Sequence, residues 1–170
     1  MTILSPPPFV PIAQSPRVDL RALVTAIAEA PAEDALNATL EPTQWDLLAP
    51  YLQAVHLGAG QLLFAQGSND RALYLVESGN LTVHYEDEKQ RLRLAIVTAG
   101  SVVGEGAFFS HRPRSASVQA GAPSKLWCLS PLRFAELANR QPAVALALVM
   151  AVSAVLAKRL GNRRRRVAAT

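Results

Sequence analysis

Between Ala54 and Leu129 the chain is written in short apolar runs separated by glycine, and this texture limits what it can fold into more than any other feature. The runs are Leu62–Phe64, Ala72–Val76, Leu81–Tyr85, Leu92–Val97, Ala116–Ala120 and Leu126–Leu129. All are short for helices, and several alternate apolar with polar residues, the period of a half-buried strand. Gly60, Gly67, Gly79 and Gly100 stand where one run stops and the next begins, and glycine takes a positive φ there without steric penalty. Ser78-Gly79-Asn80 is the clearest hairpin signal among them. Many short strands at close spacing predict a small all-β roll or barrel.

The flanks carry a different period. Leu20, Leu23, Val24 and Ile27 recur at helical spacing until Pro31, which predicts a short amphipathic helix from about 18 to 30. A second helix is expected from a Thr43 cap, with Trp45, Leu47, Leu48 and Leu52 on its apolar side and Pro50 as a break. After the strands, Pro131 to Asn139 reads as a helix, and a longer one follows from Pro142. On that last helix Leu146, Met150, Ser153, Leu156 or Ala157, and Leu160 share a face, and Gly161-Asn162 is the expected end. The apolar run Ala143 to Ala157 is shorter than the roughly 20 residues a spanning helix needs, so a packed helix is expected.

These periods divide the chain. Residues 1–17 hold five prolines and are expected to be extended or flexible, 18–41 form an N-terminal helical segment, 42–160 form the strand domain with its C-terminal helices, and 161–170 are a basic tail. The tail explains the charge. Lys158, Arg159 and Arg163 to Arg166 contribute six positive charges, and removing these six from the net +4 leaves −2 on the rest of the chain. A high isoelectric point is therefore no argument for nucleic acid across the domain. The single cysteine, Cys128, excludes an internal disulfide and points to a reducing, cytoplasmic compartment with a core thiol. The first residues lack a basic leader and are broken by prolines, so no secretory signal is read there.

The chemistry concentrates in Gly104-Glu-Gly-Ala-Phe-Phe-Ser-His-Arg-Pro-Arg-Ser-Ala-Ser-Val118, a small-residue loop with one acid followed nine residues later by an arginine. A cyclic nucleotide offers a single phosphate charge, a free ribose 2′-hydroxyl and a largely apolar base. Arg114 can meet the phosphate oxygens in a planar fork that lysine copies poorly. Gly104 to Ala107 can bring backbone N–H groups to the same phosphate, as a nest or the first turn of a helix. Glu105, ionised at neutral pH, suits a ribose hydroxyl.

In this order and setting, these residues resemble the phosphate-binding cassette of the cyclic-nucleotide-binding domain family, the sensor domain of catabolite-activator-like proteins. The matching residues are Gly104-Glu105, Ala107, Pro113-Arg114-Ser115-Ala116 and Val118. Gly60, Phe64-Ala-Gln-Gly67 and Leu73-Tyr-Leu-Val-Glu-Ser-Gly79 look like the family's early strands and turns, and the similarity runs from about Pro42 to Leu160. The family usually has an aromatic residue before Gly-Glu and a bulky apolar one after it, where this chain has Val103 and Gly106. The resemblance implies a mainly β fold with flanking helices, a jelly-roll-like double-stranded β-helix with N-terminal and C-terminal helices. It further implies that Glu105 takes the 2′-hydroxyl, that Arg114 and Ser115 take the phosphate, and that Gly104, Gly106, Ala107 and Ala116 complete the cassette. Phe64, Val97 and Val103 are the candidates to lie against the base.

The remaining features suggest less. His56, His84 and His111 are far apart in sequence, and no metal site is assigned. Ser110-His111 and Ser117 lack a nucleophile elbow and a third partner, so no catalytic residue is assigned and an enzyme is not expected. Phe108-Phe109 and Trp127 are read as core. The expected function is a stand-alone cyclic nucleotide receptor, cyclic AMP preferred and cyclic GMP next, without a helix-turn-helix module and without a cofactor. Its ligand would change the surface shown to a regulated partner protein, and the last helix could form a homodimer. Two rival readings accompany it: a roll that lost its ligand and serves as an interaction module, and a nucleic-acid-binding protein working through the arginine tail, which could equally touch anionic membrane.

Overall fold

The computed structural model describes residues 18–168 except 32, 34, 38–39, 87–89 and 91, with side chains described as far as residue 162. The expected Pro-rich segment 1–17 and the side chains of Arg163 to Arg166 lie outside the described residues. Eight strands form two four-stranded antiparallel sheets, flanked by helices, as the glycine-punctuated pattern predicts. The strands are β1 Gln53–Leu57, β2 Leu62–Phe64, β3 Leu73–Ser78, β4 Asn80–Glu86, β5 Leu92–Thr98, β6 Val102–Val103, β7 Ser117–Ala120 and β8 Ser124–Leu129. One sheet has the order β1-β8-β3-β6 and the other β2-β7-β4-β5.

The two sheets are buried differently, and the sequence already carries the reason. In the β1-β8-β3-β6 sheet, Tyr74, Val76 and Leu126 face the space between the sheets, whereas Leu73, Leu75, Trp127 and Leu129 face the helices. With both faces covered, β3 is an almost unbroken apolar run. In the other sheet Leu81, Val97, Val118 and Ala120 face inward, while Leu92, Leu94 and Ile96 on the edge strand β5 stand 60–71% exposed. Gly79 turns β3 into β4 at φ +85°, and a side chain there would collide with the Pro123 carbonyl oxygen 2.5 Å away. The buried acid Glu77 is matched where it sits, accepting from Trp127 Nε1 at 2.6 Å and pairing with Lys125 at 2.9 Å.

Among the described residues five α-helices pack outside: α1 Arg21–Glu29, α2 Pro42–Leu48, α3 Glu105–Ser110, α4 Pro131–Arg140 and α5 Pro142–Ala168. The cap of α2 is Glu41 rather than Thr43, because Glu41 and Gln44 form a reciprocal capping box and Pro42 takes the first helical position. Pro50 is accommodated in a 3-10 turn, Ala49–Tyr51. Ser130 caps α4 by accepting from Arg133 N–H.

The long helix α5 differs from expectation in two ways. It runs through Gly161 and Asn162 to Ala168, since neither residue adopts the left-handed turn that would end it and the arginines beyond favour helix. This length makes Pro142–Asn162, by length and composition alone, long and apolar enough to cross a membrane. One face, however, is packed against the roll through Val144, Ala145, Leu148, Ala151, Val152 and Val155. The opposite face, with Leu146, Met150 and Leu160 at 53–63% exposure, is the stripe that the sequence singles out.

Candidate functional site

The cassette begins where β6 runs out. Gly104 follows Val103 with φ +87° and turns the chain into α3, whose first residue is Glu105. A Cβ at Gly104 would lie 2.5 Å from Arg114 Nη1 and 2.7 Å from the Ala72 carbonyl oxygen. Position 104 is glycine both for its backbone angle and because the Arg114 guanidinium crosses directly over it. An added Cβ at Gly106 meets nothing within 4 Å, so the loop is open on that side. Phe108 N–H closes the first turn on Gly104 O at 3.1 Å, and the N–H groups of Gly106 and Ala107 are among those a helix start leaves without intrahelical acceptors.

Arg114 is 2% exposed. Its backbone is tied to the β2–β3 connection, N–H to Ser68 O at 2.8 Å and C=O from Gly67 N–H at 2.8 Å. Its guanidinium donates from Nη1 to Gly104 O at 3.1 Å, and from Nη2 to Ala72 O at 2.8 Å and to the Asp70 carboxylate. The Phe64 ring lies 3.9 Å from Cζ and serves as a cation–π platform. Arg114 Nε, also buried, has no acceptor. An orphan donor on a buried cation is costly to a fold unless something else answers it.

Glu105 does not pair with Arg114. Arg159 reaches down from α5 and donates from Nη1 to Glu105 Oε1 at 2.6 Å, and from Nη2 to Val102 O at 2.9 Å and Ser101 Oγ at 3.2 Å. The Glu105 side chain is 12% exposed, and its place in the first turn of α3 suits an anion. Glu105 and Arg114 are thus held by different parts of the molecule, Arg114 by the β2–β3 connection and Glu105 by the last helix.

The other predicted site residues fall as follows. Ala107 is buried at the base of α3, Ser115 is exposed beside Arg114, and Ala116 is half-buried before β7. Phe64, Val97 and Val103 all belong to the core between the sheets. Phe64 meets the arginine, Val103 pairs across from Tyr74 next to Gly104, and Val97 pairs with Leu81 on β4. The histidines separate, His56 on β1, His84 on β4, and His111 at the end of α3 with Nδ1 2.7 Å from Arg71 Nη1. Phe108 and Phe109 pack in T-shaped contact against the helix-side core.

Asp70 and Arg159 are the charge partners of Arg114 and Glu105 that sequence reasoning misses. Asp70 lies 44 residues from Arg114 and Arg159 lies 54 from Glu105, and neither carries a local motif. Arg159 is submerged in the basic tail, where a charge run reads as solvated. The only signal available is that a helix periodicity running past residue 157 carries Arg159 on the same face as Val152 and Val155, the packed one.

The electrostatics follow from these contacts. Burial alone would raise the Asp70 pKa, but the Arg114 hydrogen bond, the Ala72 N–H and the Arg114 charge outweigh it and hold the carboxyl below its ordinary range. The Tyr74 hydroxyl, which donates to Asp70 at 3.4 Å, is pushed up by burial and then by Cys128 and Asp70. Burial also pushes up the Cys128 thiol, as expected of a core cysteine.

A family profile described as "Cyclic nucleotide-binding domain" matches residues 54–141. Among known proteins, the cyclic AMP receptor protein of Thermus thermophilus is 34% identical over 71% of this chain and 55% of its own length. The cGMP-dependent protein kinase of Plasmodium berghei is 29% identical over 53% of this chain and 10% of its own length. The crystal structure of a cyclic nucleotide-binding domain from Methylobacillus flagellatus superposes with a TM-score of 0.72, covering 78% of this chain and 75% of that one at 22% identity. The chain therefore spans from a tenth to little more than half of these two full-length relatives. With the profile spanning the strands and the cassette, and the same fold in solved structures, the chain belongs to the cyclic-nucleotide-binding domain family.

Proposed function

We propose that this chain is a receptor for a nucleoside 3′,5′-cyclic monophosphate and that Arg114 is its phosphate anchor. The observation that carries the reading is the buried guanidinium with an unanswered Nε–H, seated beside the first turn of α3. A phosphate placed there would supply an acceptor to Nε and receive N–H groups from Gly106 and Ala107, and the exposed Ser115 would close over it. Glu105 has one oxygen on Arg159, and the other is assigned to the ribose 2′-hydroxyl. Gly104 and Ala116 shape the loop, and Phe64, Val97 and Val103 form the apolar wall toward the base. Cyclic AMP is the preferred ligand and cyclic GMP the second.

Ligand at Glu105 and Arg159 would bias the position of α5, and through it the surface offered to a regulated partner protein. The exposed stripe of Leu146, Met150, Ser153, Ala157 and Leu160 is assigned to a homodimer seam. A cytoplasmic setting is proposed from the unpaired Cys128.

Calorimetric titration with cyclic AMP and cyclic GMP tests the reading. Arg114→Ala is expected to weaken binding at least 100-fold, since a desolvated charge pair is worth about 3 kcal/mol or more. The 2′-deoxy analogue should lose about 1–3 kcal/mol by leaving Glu105 unmatched. No heat and no thermal stabilisation at millimolar nucleotide would refute it.

A further inference from the structure

Guanidinium geometry restricts how a phosphate can reach Arg114. The group is planar, and its five N–H bonds form two forks that a phosphate can grip with two oxygens. One fork pairs Nε–H with the Nη2–H parallel to it, and the other pairs the remaining Nη2–H with Nη1. Both forks therefore require Nη2. In this structure Nη2 already donates to the Ala72 carbonyl at 2.8 Å and to Asp70 Oδ2, while the Nε–H beside it is the one without an acceptor. A fork-bound phosphate must take the place of one of the two.

The two occupants are not equally movable. The Ala72 carbonyl belongs to a buried residue immediately before β3. The Asp70 side chain is 44% exposed, so it can turn out and be rehydrated. Its remaining anchors, Ala72 N–H on Oδ1 at 3.1 Å and Tyr74 O–H on Oδ2 at 3.4 Å, do not involve Arg114. Asp70 is also an anion, and leaving it against the same guanidinium as a phosphate would set two negative charges side by side in a poorly hydrated site.

We infer that Asp70 is a built-in counter-ion, which occupies the phosphate's place on Arg114 in the empty receptor and must be displaced when the cyclic nucleotide enters. This rests on the reading of Arg114 as the phosphate anchor and adds to it a residue that sets the affinity threshold. In the empty state the Asp70 link satisfies a buried cation, and it ties the β2–β3 connection to the cassette. In the bound state the phosphate takes over both the charge and the fork, and the Asp70 side chain is released while the backbone bonds of Arg114 to Gly67 and Ser68 keep the connection in place. The receptor thus exchanges one internal anion for an external one, and its affinity is the difference between them.

The test is calorimetric titration of the full chain with cyclic AMP and cyclic GMP, in wild type, Asp70→Asn, Arg114→Ala and the double variant. Asp70→Asn retains the oxygen that accepts from Ala72 N–H and removes the competing charge. It is expected to bind about tenfold more tightly than wild type, with the gain vanishing in the Arg114→Ala background. If Asp70→Asn fails to fold, as judged by its melting transition, Asp70→Ser keeps a hydroxyl acceptor for the same N–H and carries the same expectation. Unchanged or weaker binding by a folded Asp70 variant, with wild type binding normally, would overturn the counter-ion role and leave Asp70 as a positioning residue for Arg114. Failure of every form to bind either nucleotide would instead overturn the receptor reading, and the counter-ion role with it.

Discussion

A methyl group at position 104 would stand 2.5 Å from Arg114 Nη1 and 2.7 Å from the Ala72 carbonyl oxygen, at a backbone angle of φ +87°. Both the flexible partner and the fixed one would have to give, and the left-handed conformation adds strain of about 1–3 kcal/mol for a residue with a Cβ. Gly104→Ala is therefore expected to lower the urea midpoint, by about 2 kcal/mol or more in unfolding free energy. It should also displace Arg114 and reduce nucleotide affinity. A variant with wild-type stability and affinity would show that the guanidinium does not cross position 104. Gly106, two residues on, lies in α3 with open space in place of a neighbour, so Gly106→Ala should cost no stability and add up to about 1 kcal/mol. The pair isolates contact from composition, because the two glycines look alike in the sequence.

At the scale of the element, α5 is held in two different ways. Val144, Leu148, Val152 and Val155 bury its first half against the roll, and their burial is worth about 1.5–3 kcal/mol each. Beyond them it is pinned by Arg159, which grips Glu105, Ser101 and Val102 O. Hydrogen exchange should report this division. Amides of residues 144–155 are expected to be protected in wild type and in Arg159→Ala alike, whereas those of 156–162 should exchange about tenfold faster in the variant. Equal exchange over 156–162 in both proteins would mean that apolar packing alone seats the helix. A pinned second half is the contact through which the ligand proposed at Glu105 would be felt along α5.

At the scale of the whole molecule, the outer face of β5 and the stripe of α5 stand exposed among the described residues. Leu146 and Met150 are 62% and 63% exposed, so replacing them removes little from the core of one chain. If α5 is the seam of the proposed homodimer, sedimentation should show a dimer in wild type. Leu146→Gln with Met150→Gln should then give a monomer whose roll is still intact by circular dichroism. A wild-type monomer at tens of micromolar would remove the seam.

How much of this was legible in the chain depends on the range of the interaction involved. The strand texture, the Gly79 hairpin, the helix periods and the spacing of Gly104, Glu105 and Arg114 are local, and local sterics and hydrophobic period encode them in neighbouring residues. The two-sided burial of β3 was also readable, since Leu73 to Val76 leaves no polar face. The helix end was misread because Gly161-Asn162 stops a helix only when it takes the left-handed turn, and nothing nearby in the sequence decides that. The partners of Glu105 and Arg114 lay further out of reach. Asp70 comes to Arg114 only once β3 has paired and the β2–β3 connection has folded over, and Arg159 comes to Glu105 only once α5 has packed on α2, α3 and α4. By itself, then, the sequence determined the roll and named the acid and the arginine, because both follow from short-range pattern. Only the tertiary structure decided what holds each of them in place, because a buried charge finds its counter-charge through space rather than along the chain.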